Sequence, residues 1–243
     1  ILKDVFQISD QILLYLPIWM DVKSEEEQVQ LKSFEEKKDF VFIGNFLHEP
    51  NWNAVHYLKT TIWPLIRKVL PTVELKIYGA YCSEKVLNLH HPKTGFLVEG
   101  RAVSATEVFG NARVCLAPLR FGAGIKGKLL ESMYAGTPSV TTSIGSESMH
   151  GENPWNGFVC DDPIEFAQKA VELYEKQDIW EQAQRAGFEI LKQRFSKDKI
   201  TTDFTTCLSN LTDNIINHRQ HNFTGSILQH HTMKSTMYMS RWI

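Results

Sequence analysis

The sequence predicts an α/β fold: a doubly wound parallel sheet followed by extra C-terminal helices. Three observations predict it. Short apolar runs alternate with segments whose apolar residues recur at helical spacing, and strand–helix alternation of this kind builds parallel sheets with right-handed crossovers. Four of the five runs, 40–43, 73–78, 96–99, 114–117 and 139–142, are nearly continuous or rich in β-branched residues, as in strands covered on both faces. Gly44, Gly79, Gly100, Gly122 and Gly145 each lie within a few residues of a run's carboxyl end. Open α/β sheets bind ligands beyond that edge, and glycine there lets a ligand approach main chain closely.

The elements follow in order. Residues 10–22 hold the apolar run Ile12 to Leu16, ended by Pro17, which reads as one buried strand. Residues 23–39 are rich in Glu and Lys, and Glu25, Glu26 and Glu27 read as a solvated linker or helix face. After the run at 40–43, Val55, Leu58, Ile62, Leu65, Ile66 and Val69 mark an amphipathic helix beginning near Trp52. The remaining strands and their connections complete the sheet, and after Cys160 the chain turns helical over 164–175 and 179–195. Residues 199–243 form a helical or flexible tail in which His218, His221, His230 and His231 read as solvated side chains rather than a metal site. The sequons at Asn210 and Asn222 read as chance matches, and no internal repeat is visible.

Composition bounds the function. With 243 residues, 43% of them hydrophobic, the chain can bury a full core. Lys and Arg total 26 against 28 acidic residues, a net charge of −2 that argues against a nucleic-acid partner, so any anion site must be local. Cys82, Cys115, Cys160 and Cys207 are scattered without metal-ligand or disulfide spacing, which fits a reducing, cytoplasmic setting. No apolar stretch is long enough to span a bilayer. The opening Ile1, Leu2, Lys3, with no initiator Met or signal pattern, reads as a piece of a longer protein.

The densest chemical signal runs from Ala117 to Glu131 and joins a predicted strand to a predicted helix. Gly122, Ala123, Gly124 and Gly127 expose main-chain N–H groups, a helix start adds unpaired donors, and Arg120, Lys126 and Lys128 add full charges. Together they describe a phosphate or diphosphate cradle. Gly122, Gly124 and Gly127 also satisfy the dinucleotide pattern of an NAD-dependent oxidoreductase, but on the fourth strand and without an acidic residue closing the next one. Residues 122–128 satisfy most of a Walker loop, but Leu129 stands where magnesium needs a hydroxyl. A third reading uses Glu131. With a helix starting near Gly124, residues 128, 131, 132 and 135 share a face, so Lys128 would meet a phosphate and Glu131 the vicinal hydroxyls of a ribose. A surface ion pair of the same two residues is the plain structural alternative.

Residues 39 to about 195 resemble the C-terminal, donor-binding domain of group 1 glycosyltransferases, the Rossmann-like C-terminal half of a GT-B fold. The resemblance rests on Phe42, Ile43, Gly44 with Pro50, Asn51; on Pro64 and Ile77, Tyr78, Gly79; and on Asn111, Ala112, Arg113 before Ala117, Pro118, Leu119. It is strongest over Arg120 to Glu131, then Ala135, Gly136, Thr137, Pro138 and Ile144, Gly145, Ser146, Glu147.

The resemblance implies sugar transfer from a nucleoside-diphosphate sugar, with retention and without a cofactor or essential metal. The acceptor would be a glycan, a lipid-linked species or a small molecule, and the enzyme cytoplasmic or peripheral at the inner face of a membrane. Glu131 matches the family's ribose-binding glutamate. Lys126 and Lys128 match the cations that neutralise the leaving diphosphate, with Arg120 beside them. Gly44 and Asn45 match the loop that meets donor phosphates and sugar; Gly100 and Arg101 match the segment near the base; Gly145 faces the same cleft. Residues 1–38 would be the remnant of the N-terminal acceptor domain and its linker, 39–198 the donor domain and 199–243 the tail. Alone, such a half would be weak or inactive. Two departures stand out: Ala123 replaces a second glutamate common eight residues before the ribose-binding one, and Asn45, Pro50 and Asn51 stand where many members carry Arg and Lys. They keep open a non-catalytic nucleotide-binding or interaction domain.

Overall fold

The computed structural model describes residues 2–8, 13–225, 227–228 and 238–239. Residues 18–197 form one unit, and residues 1–17 with 198–243 form another. In chain order the elements are α1 (Glu25–Val29), β1 (Lys38–Ile43), α2 (Glu49–Tyr57), α3 (Trp63–Val69), β2 (Leu75–Tyr78), α4 (Glu84–Leu87), β3 (Phe96–Gly100), α5 (Ala105–Asn111), β4 (Ala112–Ala117), α6 (Gly127–Tyr134), β5 (Ser139–Thr141), α7 (Ser143–Ser146), β6 (Gly157–Val159), α8 (Pro163–Glu175), α9 (Gln177–Arg194), α10 (Lys197–Asp213) and α11 (Ile215–His221).

All six strands run parallel, in the order β3-β2-β1-β4-β5-β6. Alternate residues of each strand point to opposite faces, and both faces are covered. Phe40 and Phe42 of β1 pack with Leu58, Ile62, Trp63 and Ile66 on one side, together with Phe166 and Leu173 of α8. Val41, Cys115 and Ala117 pack on the other with Phe109 of α5, Leu129, Leu130 and Met133 of α6, and Ile190 and Leu191 of α9. This double burial is why the strands read as continuous apolar runs.

Local chemistry sets the element ends. Ser24 and Glu27 form a reciprocal capping box, so the acidic run 25–27 is the exposed first turn of α1. Asp162 accepts from Ile164 and Glu165 N–H ahead of Pro163, which starts α8. The helix expected from Trp52 to Val69 is a continuous helical stretch, but a π-helical turn at Leu58–Ile62 divides it. That turn keeps Leu58, Ile62, Trp63 and Ile66 all buried.

Several expectations are corrected. Residues 13–19 are not a strand: Leu14, Tyr15 and Leu16 are exposed, and only Met20 makes an isolated parallel bridge, to Ser196. With no neighbouring strand among the described residues to accept its main-chain bonds, the run has no ladder to join. Asp10 and Ile12 lie outside the described residues. The sheet gains a sixth strand, β6, three residues long, which pairs with β5 at the edge. Helix α6 begins at Gly127 rather than near Gly124, because Gly122 and Gly124 adopt φ of +129° and +74°, outside the helical region.

In the other unit, α10 and α11 expose nearly all their side chains, and Thr202 and Thr205 bond back to carbonyls one turn earlier. Among the described residues no three His, Cys, Asp or Glu side chains gather to hold a metal ion; His230 and His231 lie outside those residues. Asn210 lies exposed on α10. No helix among the described residues is long and apolar enough to cross a membrane.

One charged side chain is sealed inside the larger unit. Lys37 is wholly buried and donates to Ala135 O at 2.9 Å and Thr137 Oγ1 at 2.7 Å, tying the start of β1 to the α6–β5 connection. Burial, helped slightly by Lys32, holds its ammonium down at about 7. Between that value and the ordinary lysine range the unfolded chain carries a proton that the folded chain lacks, so stability rises with pH in this window. The slope is at most about 1.4 kcal/mol per pH unit for each such group. Thermal unfolding followed from about pH 7 to about pH 8.5 should show that rise, and Lys37→Met should remove the share of this one group from its slope. A second expectation concerns the glycine edge. A Cβ at Gly79 would overlap the Gly44 carbonyl and the Phe46 ring, whereas one at Gly127 meets nothing. In urea unfolding, Gly79→Ala should cost about 2 kcal/mol, and Gly127→Ala should stay within about 1 kcal/mol of wild type, on the stabilising side.

Candidate functional site

The carboxyl ends of β1, β2 and β3 finish in glycine turns stacked by main-chain bonds. Gly44 N–H donates to Tyr78 O at 3.0 Å, Gly79 N–H to Gly100 O at 2.8 Å, and Phe46 N–H to Ala80 O at 3.1 Å. With no side chains at Gly44 and Gly79 the three turns lie close, and Gly100 takes the left-handed φ of +76° that redirects the chain into Arg101. The opening of α6 closes the other side. The result is a hollow of about 310 Å³ lined by Ile43, Gly44, Asn45, Asn51, Gly79, Ala80, Arg101, Ala102, Ala105, Lys128 and Glu131. A larger groove of about 660 Å³ shares Arg101 and Ala102 and continues past Tyr78 and Ser104 along the sheet face beside α5.

Lys128 and Glu131 therefore open into the same space, one turn apart on α6. Leu129, Leu130 and Met133, the apolar residues of that helix, are buried against β1 and β4. Ser132, expected on the face of Lys128, is also buried and bonds to Leu129 O. Lys128 Nζ lies 4.1 Å from the centre of the Phe42 ring and donates to Asn51 Oδ1. Burial pulls its ammonium down to about 7, with Cys115 and Glu131 acting in the opposite sense. Half-buried Glu131 is raised by burial, against the pull of Lys128. Each group is thus pushed towards its neutral form, and a ligand supplying the missing partner charge or hydrogen bonds would restore it.

The other sequence-predicted residues divide. Gly44, Asn45 and Arg101 line the hollow. Gly100 borders it through its bond to Gly79. Lys126, the N-terminal flank of α6, lies outside the lining: its Nζ donates to Gly124 O at 2.6 Å, and burial lowers its basicity against the attraction of Glu147. Arg120 is exposed, donates to Asn53 Oδ1 at 2.8 Å and stacks 4.7 Å over the Tyr57 ring of α2. Gly122 and Gly124 shape the turn between β4 and α6. Gly145 is buried in α7, and its N–H is already donated to Thr142 Oγ1 at 3.1 Å.

Asn51, which the sequence analysis noted only as a departure from the family's Arg and Lys and gave no role, also lines the hollow. It stands at the start of α2 after Pro50, and nothing in its local pattern announces a contact with residue 128.

A family model described as "Glycosyl transferases group 1" matches residues 37–176, more than half of the chain. Comparison with curated proteins finds no match. Among solved structures, an S. aureus TarM mutant in complex with fondaparinux, alpha-GlcNAc-glycerol and UDP superposes with a TM-score of 0.66 at 14% identity, covering 85% of this chain and 41% of TarM. A glycosyltransferase from Rickettsia africae gives 0.61 at 13% identity, with 91% and 61% covered. Anabaena HepE in complex with UDP and glucose gives 0.59 at 16%, with 79% and 55% covered. The chain spans less than two thirds of each of these proteins. At such identities the structural likeness shows the fold, the Rossmann-like half of a GT-B architecture, and the family match carries the assignment: the chain belongs to the group 1 glycosyl transferases.

Proposed function

We propose that this chain supplies the donor-binding half of an enzyme that transfers a sugar from a nucleoside-diphosphate sugar to an acceptor, with retention and without an essential metal. The observation that carries the reading is the convergence of Lys128 and Glu131 on one hollow with the bare glycine turns of β1 and β2. A diphosphate seated there could approach the main chain closely at Gly44 and Gly79, and it would meet an amine that an anion would recharge. Breaking the anomeric bond places charge on the leaving diphosphate, and a cation already fixed beside it lowers the barrier without reorganisation. Glu131 would accept from the ribose hydroxyls, and Arg101, where the hollow meets the larger groove, would lie towards the base.

Lys126 is the second cation of this reading, on the glycine turn ahead of α6. Arg120, whose Nε donates to Asn53 Oδ1 and whose guanidinium lies over Tyr57, stands outside the lining of the hollow and would be the most peripheral of the three cations. The acceptor, a glycan, a lipid-linked saccharide or a small molecule, would enter opposite this half, against the N-terminal domain of a complete GT-B enzyme. Four free thiols support a reducing, cytoplasmic setting.

Calorimetry on the full chain with UDP, GDP and inorganic pyrophosphate tests the assignment. Lys128→Ala should weaken all three by roughly 10- to 100-fold, the worth of a hydrogen bond to a charged group. Glu131→Ala should weaken UDP and GDP by at least about tenfold more than it changes pyrophosphate, because pyrophosphate has no ribose and feels Glu131 only through the charge of Lys128. Wild-type affinity for the nucleotides in both variants would remove the two residues from the site. The pH dependence follows from Lys128: below about 7 its ammonium is present in the free protein, and above that value binding must take up a proton. From about pH 6.5 to about pH 8.5 affinity should fall on the order of 20-fold, with proton uptake visible as a buffer-dependent binding enthalpy.

A further inference from the structure

Asn51 uses both ends of its amide on different elements. Its Oδ1 accepts from Lys128 Nζ of α6, and its Nδ2 donates to Asn45 O at 2.7 Å, in the turn that follows β1. The amide's orientation follows from these partners, since a main-chain carbonyl only accepts and the lysine nitrogen is the donor. The side chain also packs on Gly44, where a Cβ would lie 2.9 Å from Asn51 Cγ. Its own N–H donates to His48 O at 3.0 Å, which holds the residue at the head of α2.

We propose that Asn51 is the positioning residue of the donor site, tying the Gly44–Asn45 turn to Lys128 so that turn and cation meet a diphosphate as one unit. The inference rests on the reading of the hollow as a diphosphate site. Asn51 acts through Lys128 and through the turn, and neither contact requires it to touch the ligand.

An amide at this position is distinguishable from a carboxylate. Among the described residues the groups acting on Lys128 besides Asn51 are Glu131 on its own helix, the Cys115 thiol of β4 and the Phe42 ring of β1, and Arg101 lines the same hollow. Burial pushes the thiol up to about 12, so it is neutral, and Glu131 is the one carboxylate among them. A neutral acceptor at residue 51 orients the amine without neutralising a charge that an incoming anion must satisfy. An aspartate would pair with the ammonium permanently, repel the diphosphate, and lose the bond to Asn45 O.

The test uses the full chain with Asn51→Asp and Asn51→Ala, with inorganic pyrophosphate, UDP and GDP as probes, and follows the Lys128 side chain by NMR in the ligand-free protein. In Asn51→Asp, which keeps the size of the side chain, the Lys128 titration midpoint should rise by about one pH unit or more. Pyrophosphate affinity should fall at least about tenfold, and its decline with pH should move to higher pH. In Asn51→Ala affinity should fall about tenfold, and adding Lys128→Met should cost much less than in the wild-type background, because the two residues act as a pair. An unchanged Lys128 midpoint in Asn51→Asp, or wild-type affinity and pH profile in both variants, overturns the proposal. A wild-type chain that binds none of the three probes overturns the diphosphate reading itself, whereas bound probes with indifferent variants overturn only the role of Asn51. Should Asn51→Ala fail to fold, the near-isosteric Asn51→Asp decides the matter alone.

Discussion

An amine enclosed between an aromatic ring and an amide at the head of a helix is the constraint on which the site depends. Lys128 is there because the residues after it must be buried: Leu129, Leu130 and Met133 bind α6 to the sheet, which fixes the helix in rotation. With that rotation set, the lysine is carried under the edge of β1, over the Phe42 ring and against Asn51. Among the described residues no carboxylate takes its hydrogen bond, and the pull of Glu131 falls short of the effect of burial, so its basicity is lowered. The cost of holding it is borne by the same packing that stabilises the domain.

The hollow beside that amine owes its existence to backbone. Parallel strands end their ladders at the same edge, and here three successive strands end in turns where glycine removes the side chain that would fill the gap. Gly79 is the tightest of them, since the Gly44 carbonyl occupies the place of its Cβ. The turns bond to one another through main-chain groups, so the floor of the hollow is part of the sheet rather than a loop laid over it. A ligand reaching it would meet a surface already ordered by folding.

Much of the fold was legible because double burial leaves a plain mark on sequence. Phe40 to Ile43 and Val114 to Ala117 are apolar throughout, and the glycines after them punctuate the chain where the sheet ends. The features that escaped are those a local window does not contain. The three-residue strand β6 is a strand because Ser139 to Thr141 lies beside it. The run at 13–16 has apolar residues and, among the described residues, no neighbouring strand. The start of α6 moved to Gly127 because two glycines ahead of it took positive φ, a choice glycine permits without requiring it. Arg120 sits among basic residues in sequence yet turns away to Asn53 and Tyr57 of α2, and Lys126 folds back onto its own turn.

The amino-acid sequence by itself determined the class of the fold, the helix that bears Lys128 and Glu131, and the family, because hydrophobic periodicity and a glycine-rich turn between strand and helix are written in consecutive residues. Tertiary structure alone decided which cation faces the hollow and what holds it. Lys126 and Lys128 are two residues apart and chemically alike, but the helix begins between them, leaving one on the turn and the other beneath the sheet edge. Asn51 meets Lys128 across 77 positions of chain, a contact made by the parallel crossover that lays α2 and α6 at the same end of the sheet.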